Sequence, residues 1–338
     1  MAPACGSSSS PPTGPSGGGG GAGPGPVGAT ITITPGGLAP KAVTVTTGQS
    51  VTIVNNNNAL NQEYNIYMDA YNGKPSKKWE ELWHFSKVNF AAFAEGKNVI
   101  KIYFAKAGDV YTPEDPTSPG IPPAIVAVGA KDFEMEAVWT SLREFEKVAD
   151  VVYVETQNRD EADFHYVTYT GTPGPGVSLL GSMSPPNEPD EGLAQFNSGD
   201  ERWNETNLAQ GGFSFVTLIH EFGHGHGMSH PHDGGGRSGV MRGVEEEGVA
   251  FDYTTGDFEL NQGVFTMMSY EDGWQSSPYG NAPTDVGYGY LGGLMAFDIA
   301  VIQDKYGVNE EWATGDDTYV LKDENAAGTY FSSIWDAA

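Results

Sequence analysis

Residues 213–233 read FSFVTLIHEFGHGHGMSHPHD. A helix sets residues i and i+4 on one face, so His220 and His224 can offer two imidazole nitrogens to one ion. Glu221 follows the first of them and can reach a water on that ion without binding it. Gly227 takes a positive φ at little cost, which makes it a place for the helix to stop and the chain to turn. The turn lets His230 swing back as a third ligand. Three neutral imidazoles with one coordination position left open describe a catalytic zinc site. Five of the seven histidines lie between His220 and His232. His226 is out of phase with the ligands and is expected to face away. His232 follows the third ligand by two residues, and either extra histidine is a candidate to compete for the metal. Ser214 is the expected N-cap of the helix, with Val216, Leu218, Ile219 and Phe222 on its buried sides.

Spelled across His220, Glu221, His224, Gly227 and His230, the pattern H-E-x-x-H-x-x-G-x-x-H resembles that of the metzincin zinc endopeptidases. His230-Pro231 followed by Asp233 is similar to the serralysin ending, H-P-x-D. Met268-Ser269-Tyr270 resembles the Met-turn of the same enzymes, and residues 295–307, MAFDIAVIQDKYG, resemble their C-terminal helix. Gly225 and His226 depart from the alanine and leucine common at those places. The resemblance covers roughly residues 130–336. It implies an α+β fold, a metzincin-type zincin domain with a twisted mixed sheet and an active-site helix. It implies that Met268 forms a floor beneath the histidines. Tyr270 is implied to ligate zinc in the resting enzyme and to move to stabilise the transition state. Residues 191–197 are implied to be the edge strand over the cleft, with Gly192, Leu193 and Ala194 binding substrate by strand addition. The implied activity is secreted zinc-dependent endopeptidase action on protein or peptide substrates. Glu221 would assist attack of a zinc-bound water and deliver its proton to the leaving amine.

Composition bounds the partners. With 17 Lys and Arg against 44 Asp and Glu, the formal charge is −27, so neither nucleic acid nor an anionic membrane is an expected partner. No apolar run approaches the length of a transmembrane helix. The acid excess fits calcium, salty surroundings or solubility alike. Cys5 is the single cysteine, so no intramolecular disulfide forms.

Along the chain, residues 1–28 are a Gly/Ser/Pro-rich tether too poor in apolar residues to fold. Cys5 followed by Gly6 and a serine run looks like the start of a mature bacterial lipoprotein, which makes a lipid anchor at the cell surface the alternative to secretion. Residues 29–57 alternate Thr with Val and Ile and form a β-rich segment resembling the start of a cupredoxin-like domain. Copper is not expected there, because no His or Cys follows before His84. The catalytic domain is expected over 58–315, with mixed signals at 77–83, a structural His84, a strand at 99–104 and a proline-marked loop over 113–123. Phe133, Ala137, Val138, Leu142, Phe145 and Val148 recur at helical spacing and predict a helix over 132–148. Strands are expected at 151–155, 163–168 and 200–205, with His165 packed in the second. Residues 234–265 read as a Gly-rich acidic loop with Glu245, Glu246, Glu247, Asp252, Asp257 and Glu259, where Ca2+ is a possible ligand although no EF-hand spacing occurs. A helix over 294–306 should stop at Gly307. Residues 316–338 read as the start of a truncated C-terminal β-region, with strands at 315–320 and 331–335 and no G-G-x-G-x-D repeat. The alternative function is an inactive surface or matrix binding module that keeps the same fold.

Overall fold

The computed structural model describes the backbone of residues 27–34, 37–39, 42–44, 50–55 and 92–94. Backbone and side chains are described for 97–112, 124–171, 179–186, 188, 190–232, 241, 243–244, 254–275, 287–320, 326 and 328–337. Cys5, the stretch 77–83, His84, the proline loop 113–123 and Glu245, Glu246, Glu247 and Asp252 lie outside these residues, as does the tether up to residue 26. The β-rich segment contributes β1 (Val27–Thr34), β2 (Gly37–Ala39), β3 (Ala42–Thr44) and β4 (Ser50–Asn55), with β1 antiparallel to β2 and parallel to β4.

The main sheet begins with β5 (Ala92–Ala94), hairpin partner of β6 (Lys97–Phe104). A two-stranded flap of β7 (Val110–Tyr111) and β8 (Ile125–Val126) follows, then helix α1 (Asp132–Val148) and β9 (Val151–Glu155). Next come β10 (Phe164–Tyr169), β11 (Gly181–Met183) and β12 (Leu193–Asn197). Across the sheet β11, β12, β10 and β6 lie in that order, and β6 pairs with both β5 and β9; β6, β9, β10 and β12 run parallel, while β5 and β11 are antiparallel to their partners. Helix α1 runs over the very residues its apolar spacing predicts, and it buries Ala137, Val138, Leu142, Phe145 and Val148. A short helix α2 (Glu205–Leu208), the long α3 (Phe213–Gly225) and α4 (Ala296–Tyr306) complete the helical layer, and β13 (Thr318–Val320) pairs antiparallel with β3.

One core joins these elements, from Ile100 and Phe164 on the sheet through Phe145 on α1 to Phe215, Leu218, Ile219 and Phe222 on α3. The other face of the sheet carries a smaller cluster of Tyr103, Tyr111, Ile125, Val167 and Leu193. His165 packs there edge-on between Tyr103 and Tyr111.

The structure corrects several expectations. The strand expected over 191–197 starts at Leu193 and is interior: β10 pairs one side and β11 the other. Gly192, Leu193 and Ala194 therefore do not form the open edge, which belongs to β11. No strand forms over 200–205; Asn204 caps α2 instead, its side chain accepting from Asn207 N. Ser214 does not cap α3. Its hydroxyl donates to Arg202 O at 2.6 Å, and Gly212 occupies the cap position, where a Cβ would lie 2.4 Å from Asn207 O. Helix α4 starts two residues later than expected. Residues 331–335 make a single bridge, Leu291 to Phe331, rather than a strand.

His226, just past the end of α3, is fully buried and stacks on Phe145 with ring centroids 4.3 Å apart. Its Nδ1–H donates to Phe222 O, which leaves Nε2 to accept from Tyr153 Oη at 2.6 Å. Tyr306 Oη donates to His226 O at 2.9 Å. The helix end is thus bolted to β9 and α4 by one histidine. His226→Leu should lower the unfolding free energy by about 1–3 kcal/mol, because it orphans the buried Tyr153 hydroxyl. Adding Tyr153→Phe should recover part of that loss, and urea unfolding of both variants checks it.

Candidate metal centre and active site

Helix α3 closes in a Schellman turn. Gly227 N donates to His224 O at 2.7 Å, Met228 N donates to Gly223 O at 3.0 Å, and Gly227 adopts φ +84°. A side chain at Gly227 would be strained in that conformation. The turn reverses the chain and brings His230 back to the face that carries His220 and His224. The three Nε2 atoms stand 3.0, 3.0 and 3.2 Å apart.

Two of these rings are oriented by carbonyls. His220 Nδ1 lies 2.8 Å from Met267 O, and His224 Nδ1 lies 2.8 Å from Met228 O. A carbonyl only accepts, so each Nδ1 carries the proton and each of these Nε2 atoms presents a bare lone pair. Burial, then the neighbouring imidazoles, hold His220 and His230 well below the usual histidine range, so both are neutral. Lone pairs converging at this distance repel one another unless a cation lies between them. Separations of this size suit three imidazole nitrogens that would share one metal ion at the usual bond length of ~2.0–2.1 Å. The three residues fit a single metal ion. Among the described residues this is the sole group of three or more His, Cys, Asp or Glu in ligand reach. Asp257 and Glu259 join no such group.

Glu221 is buried beside the triad. Burial pushes its carboxyl up to about 8, and a hydrogen bond from the Met183 amide on β11 pulls partly the other way. Met268 is fully buried, and its sulfur comes so near α3 that a Cβ at Gly223 would lie 2.5 Å from it. Gly225 admits Met183 in the same way. Tyr270 stands over the rings, its centroid 4.6 Å from that of His230 and 5.6 Å from that of His220. His226 faces the core instead. His232 is buried against His230 and Tyr270 but contributes no atom to the ligand group.

The structure adds a residue that sequence reasoning passed over. Asp298, fully buried on α4, accepts from Thr266 Oγ1 at 2.6 Å, Met267 N at 2.8 Å and Met295 N at 2.9 Å. Burial raises its carboxyl to about 7 despite these donors. One peptide away, Met267 O receives the proton of His220. The only sequence signal was a carboxylate on an apolar helix, at the third helical position after Met295.

No protein-family model matches the chain. Serralysin from Proteus mirabilis is 26% identical over 136 residues, 38% of this chain and 24% of that protein. Serralysin from Photorhabdus sp. (strain Az29) is 25% identical over 214 residues, 58% of this chain and 39% of that protein. The chain is distantly similar to the serralysins. Serralysin B from Dickeya chrysanthemi extends the serralysin likeness, at 24% identity over 216 residues, 60% of this chain and 41% of that protein. The matches thus span about a quarter to two fifths of these serralysins' own length. No helix among the described residues is long and apolar enough to cross a membrane.

Asp298→Ala should free the Met267 carbonyl and with it the orientation of His220. Metal affinity is expected to fall about 10- to 100-fold, the usual effect of losing an outer-shell partner. Competition with a chromogenic chelator measures it.

Proposed function

We propose that the chain is a zinc-dependent endopeptidase that acts outside the cell on protein or peptide substrates. The observation that carries this reading is the triangle of three Nε2 atoms with the buried carboxyl of Glu221 at its side. His220, His224 and His230 would hold the metal. When bound, zinc supplies Lewis acidity to a peptide carbonyl and to water. With a cation beside it, the Glu221 carboxyl falls from its raised value toward neutrality, where a proton acceptor works best near pH 7. Glu221 takes the proton of the attacking water and returns it to the leaving amine. Tyr270, poised over the rings, donates to the oxyanion developing on the carbonyl. Met268 fills the floor and takes no part in proton transfer.

The edge of the sheet suits an extended peptide. Asn197 N donates to Leu180 O at 2.9 Å and Ser184 N to Leu193 O at 3.1 Å, so residues 180 and 184 turn toward β12. Gly181 and Met183 therefore turn outward. Met183 N–H is directed to Glu221, and the outward side of β11, buried at Gly181 and Met183, is the edge we assign to strand addition by substrate.

The purified protein should digest casein, stop on treatment with a chelator and recover on addition of zinc. Glu221→Gln should keep zinc, measured by elemental analysis, and lose nearly all hydrolysis, because the amide cannot accept the proton. A metal-loaded wild type that leaves casein intact would instead be a binding module.

Tyr270→Phe separates the tyrosine's part from zinc chemistry in general. An interaction made only in the transition state lowers kcat when removed and leaves KM in place. Turnover should fall roughly 10- to 1,000-fold, the scale of losing an oxyanion donor. Steady-state kinetics on a fluorogenic peptide reads both constants, and an unchanged kcat refutes the tyrosine's role.

A further inference from the structure

His232 lies beyond the ligand set and takes no part in the chemistry above. We propose that it positions Tyr270 against the third metal ligand and so governs how far the phenol strays from the metal, an inference that rests on the peptidase reading. The ring centroids of His230, His232 and Tyr270 form a nearly equilateral triangle, with separations of 4.7, 4.5 and 4.6 Å. The two imidazoles are close to parallel, 14° apart, and the phenol meets them at 63° and 52°. Tyr270 therefore caps the joint of a stacked pair, touching both rings.

The two supports differ in kind. His230 is committed to the metal. His232 is 1% exposed, whereas Tyr270 is 45% exposed. The Tyr270 side chain is thus partly open to solvent while its ring contacts the imidazoles. The turn carrying His232 is itself held, since Met241 N donates to Pro231 O at 2.7 Å. Removing the His232 ring takes away an imidazole whose centroid lies 4.5 Å from that of Tyr270 and opens space on that side of the phenol. An aromatic ring that loses a packed neighbour turns into the space left behind, because close packing holds side chains in place only where it surrounds them. A residue that merely filled volume elsewhere in the core would not move the phenol. Aromatic pairs at these separations also attract one another beyond their buried area.

The test compares His232→Ala and His232→Phe, each in the wild-type and Tyr270→Phe backgrounds, all loaded with zinc. Zinc content, kcat and KM are measured, together with the ring-proton NMR signals of tyrosine. Tyr270→Phe identifies the signal that belongs to Tyr270. His232→Ala should retain zinc, move that signal through loss of the ring current, and lower kcat roughly tenfold at an unchanged KM. His232→Phe, which keeps a ring in place, should restore the rate and the position of the signal. In the Tyr270→Phe background His232→Ala should cost nothing further, since the two residues act as one unit. A Tyr270 signal that stays put in His232→Ala overturns the proposal. So does a kcat loss that adds in full to that of Tyr270→Phe, or a loss of zinc. Should His232→Ala not fold, His232→Phe decides: a preserved signal and rate support stacking, and a displaced signal overturns it. If the wild type hydrolyses no peptide while the Tyr270 signal still follows residue 232, the peptidase reading falls and the positioning role stands.

Discussion

Two hydrogen bonds from imidazole to carbonyl govern the centre of this molecule. His220 and His224 each give the Nδ1 proton to a backbone oxygen, of Met267 and Met228 respectively. That choice of tautomer leaves Nε2 lone pairs turned on one another, an arrangement that is costly when buried and favourable around a cation. Different devices place the two oxygens. The Schellman turn after α3 sets Met228, and the carboxylate of Asp298 sets Met267 from a separate helix. The candidate metal centre therefore depends on turn chemistry at two distant points of the chain as much as on the helix that carries its motif.

The same helix is unusually tolerant of close neighbours. Gly223 and Gly225 have no Cβ, and each faces a methionine that a Cβ would strike. Glycine inside a helix is unfavourable by about 1 kcal/mol relative to alanine. Here packing offsets that cost, because Phe215, Leu218, Ile219 and Phe222 are all fully buried on α3. The gain is proximity: the floor of the site and the edge strand both reach the helix directly. Through Met183, whose side chain meets Gly225 and whose amide meets Glu221, β11 and the buried Glu221 carboxyl become one piece of structure.

Legibility followed the physics of each element. Helix α1 and strand β9 were readable to the residue, since long apolar periodicity and a Val-rich run are signals summed over many positions. β11 was invisible. It is three residues long, Gly-Ser-Met, and nothing in that composition favours a strand; it exists because Asn197 and Leu193 offer it hydrogen bonds. The family resemblance had assigned the edge to residues 191–197 and the substrate contacts to Gly192, Leu193 and Ala194, and nothing in the sequence of β11 stood against it. Ser214 failed as a cap for a similar reason. A serine near a helix start marks a cap only if its hydroxyl has no better acceptor, and Arg202 O supplied one. Asp298 was hard to read because two of its three donors, the Thr266 hydroxyl and the Met267 amide, lie some thirty residues away, and an amide leaves no mark in the identity of the residue that carries it.

The histidines show how far local spacing carries before tertiary geometry takes over. Five of them crowd one turn of chain, and their identities alone do not sort them. The i, i+4 relation picks out His220 and His224, and the positive φ at Gly227 adds His230. Phase already puts His226 on the far side, but only the core explains why a polar ring survives there: Phe222 O and the Tyr153 hydroxyl occupy both of its nitrogens. His232 is the harder case. It lies beside His230, is nearly as buried as the core, and has the same chemistry as the three histidines of the triad. The ligand triangle is nonetheless complete without it, and its ring meets the faces of His230 and Tyr270. A histidine next to a metal site thus becomes a ligand only where its nitrogen can be aimed at the ion. Where the chain directs its face inward instead, it becomes a wall.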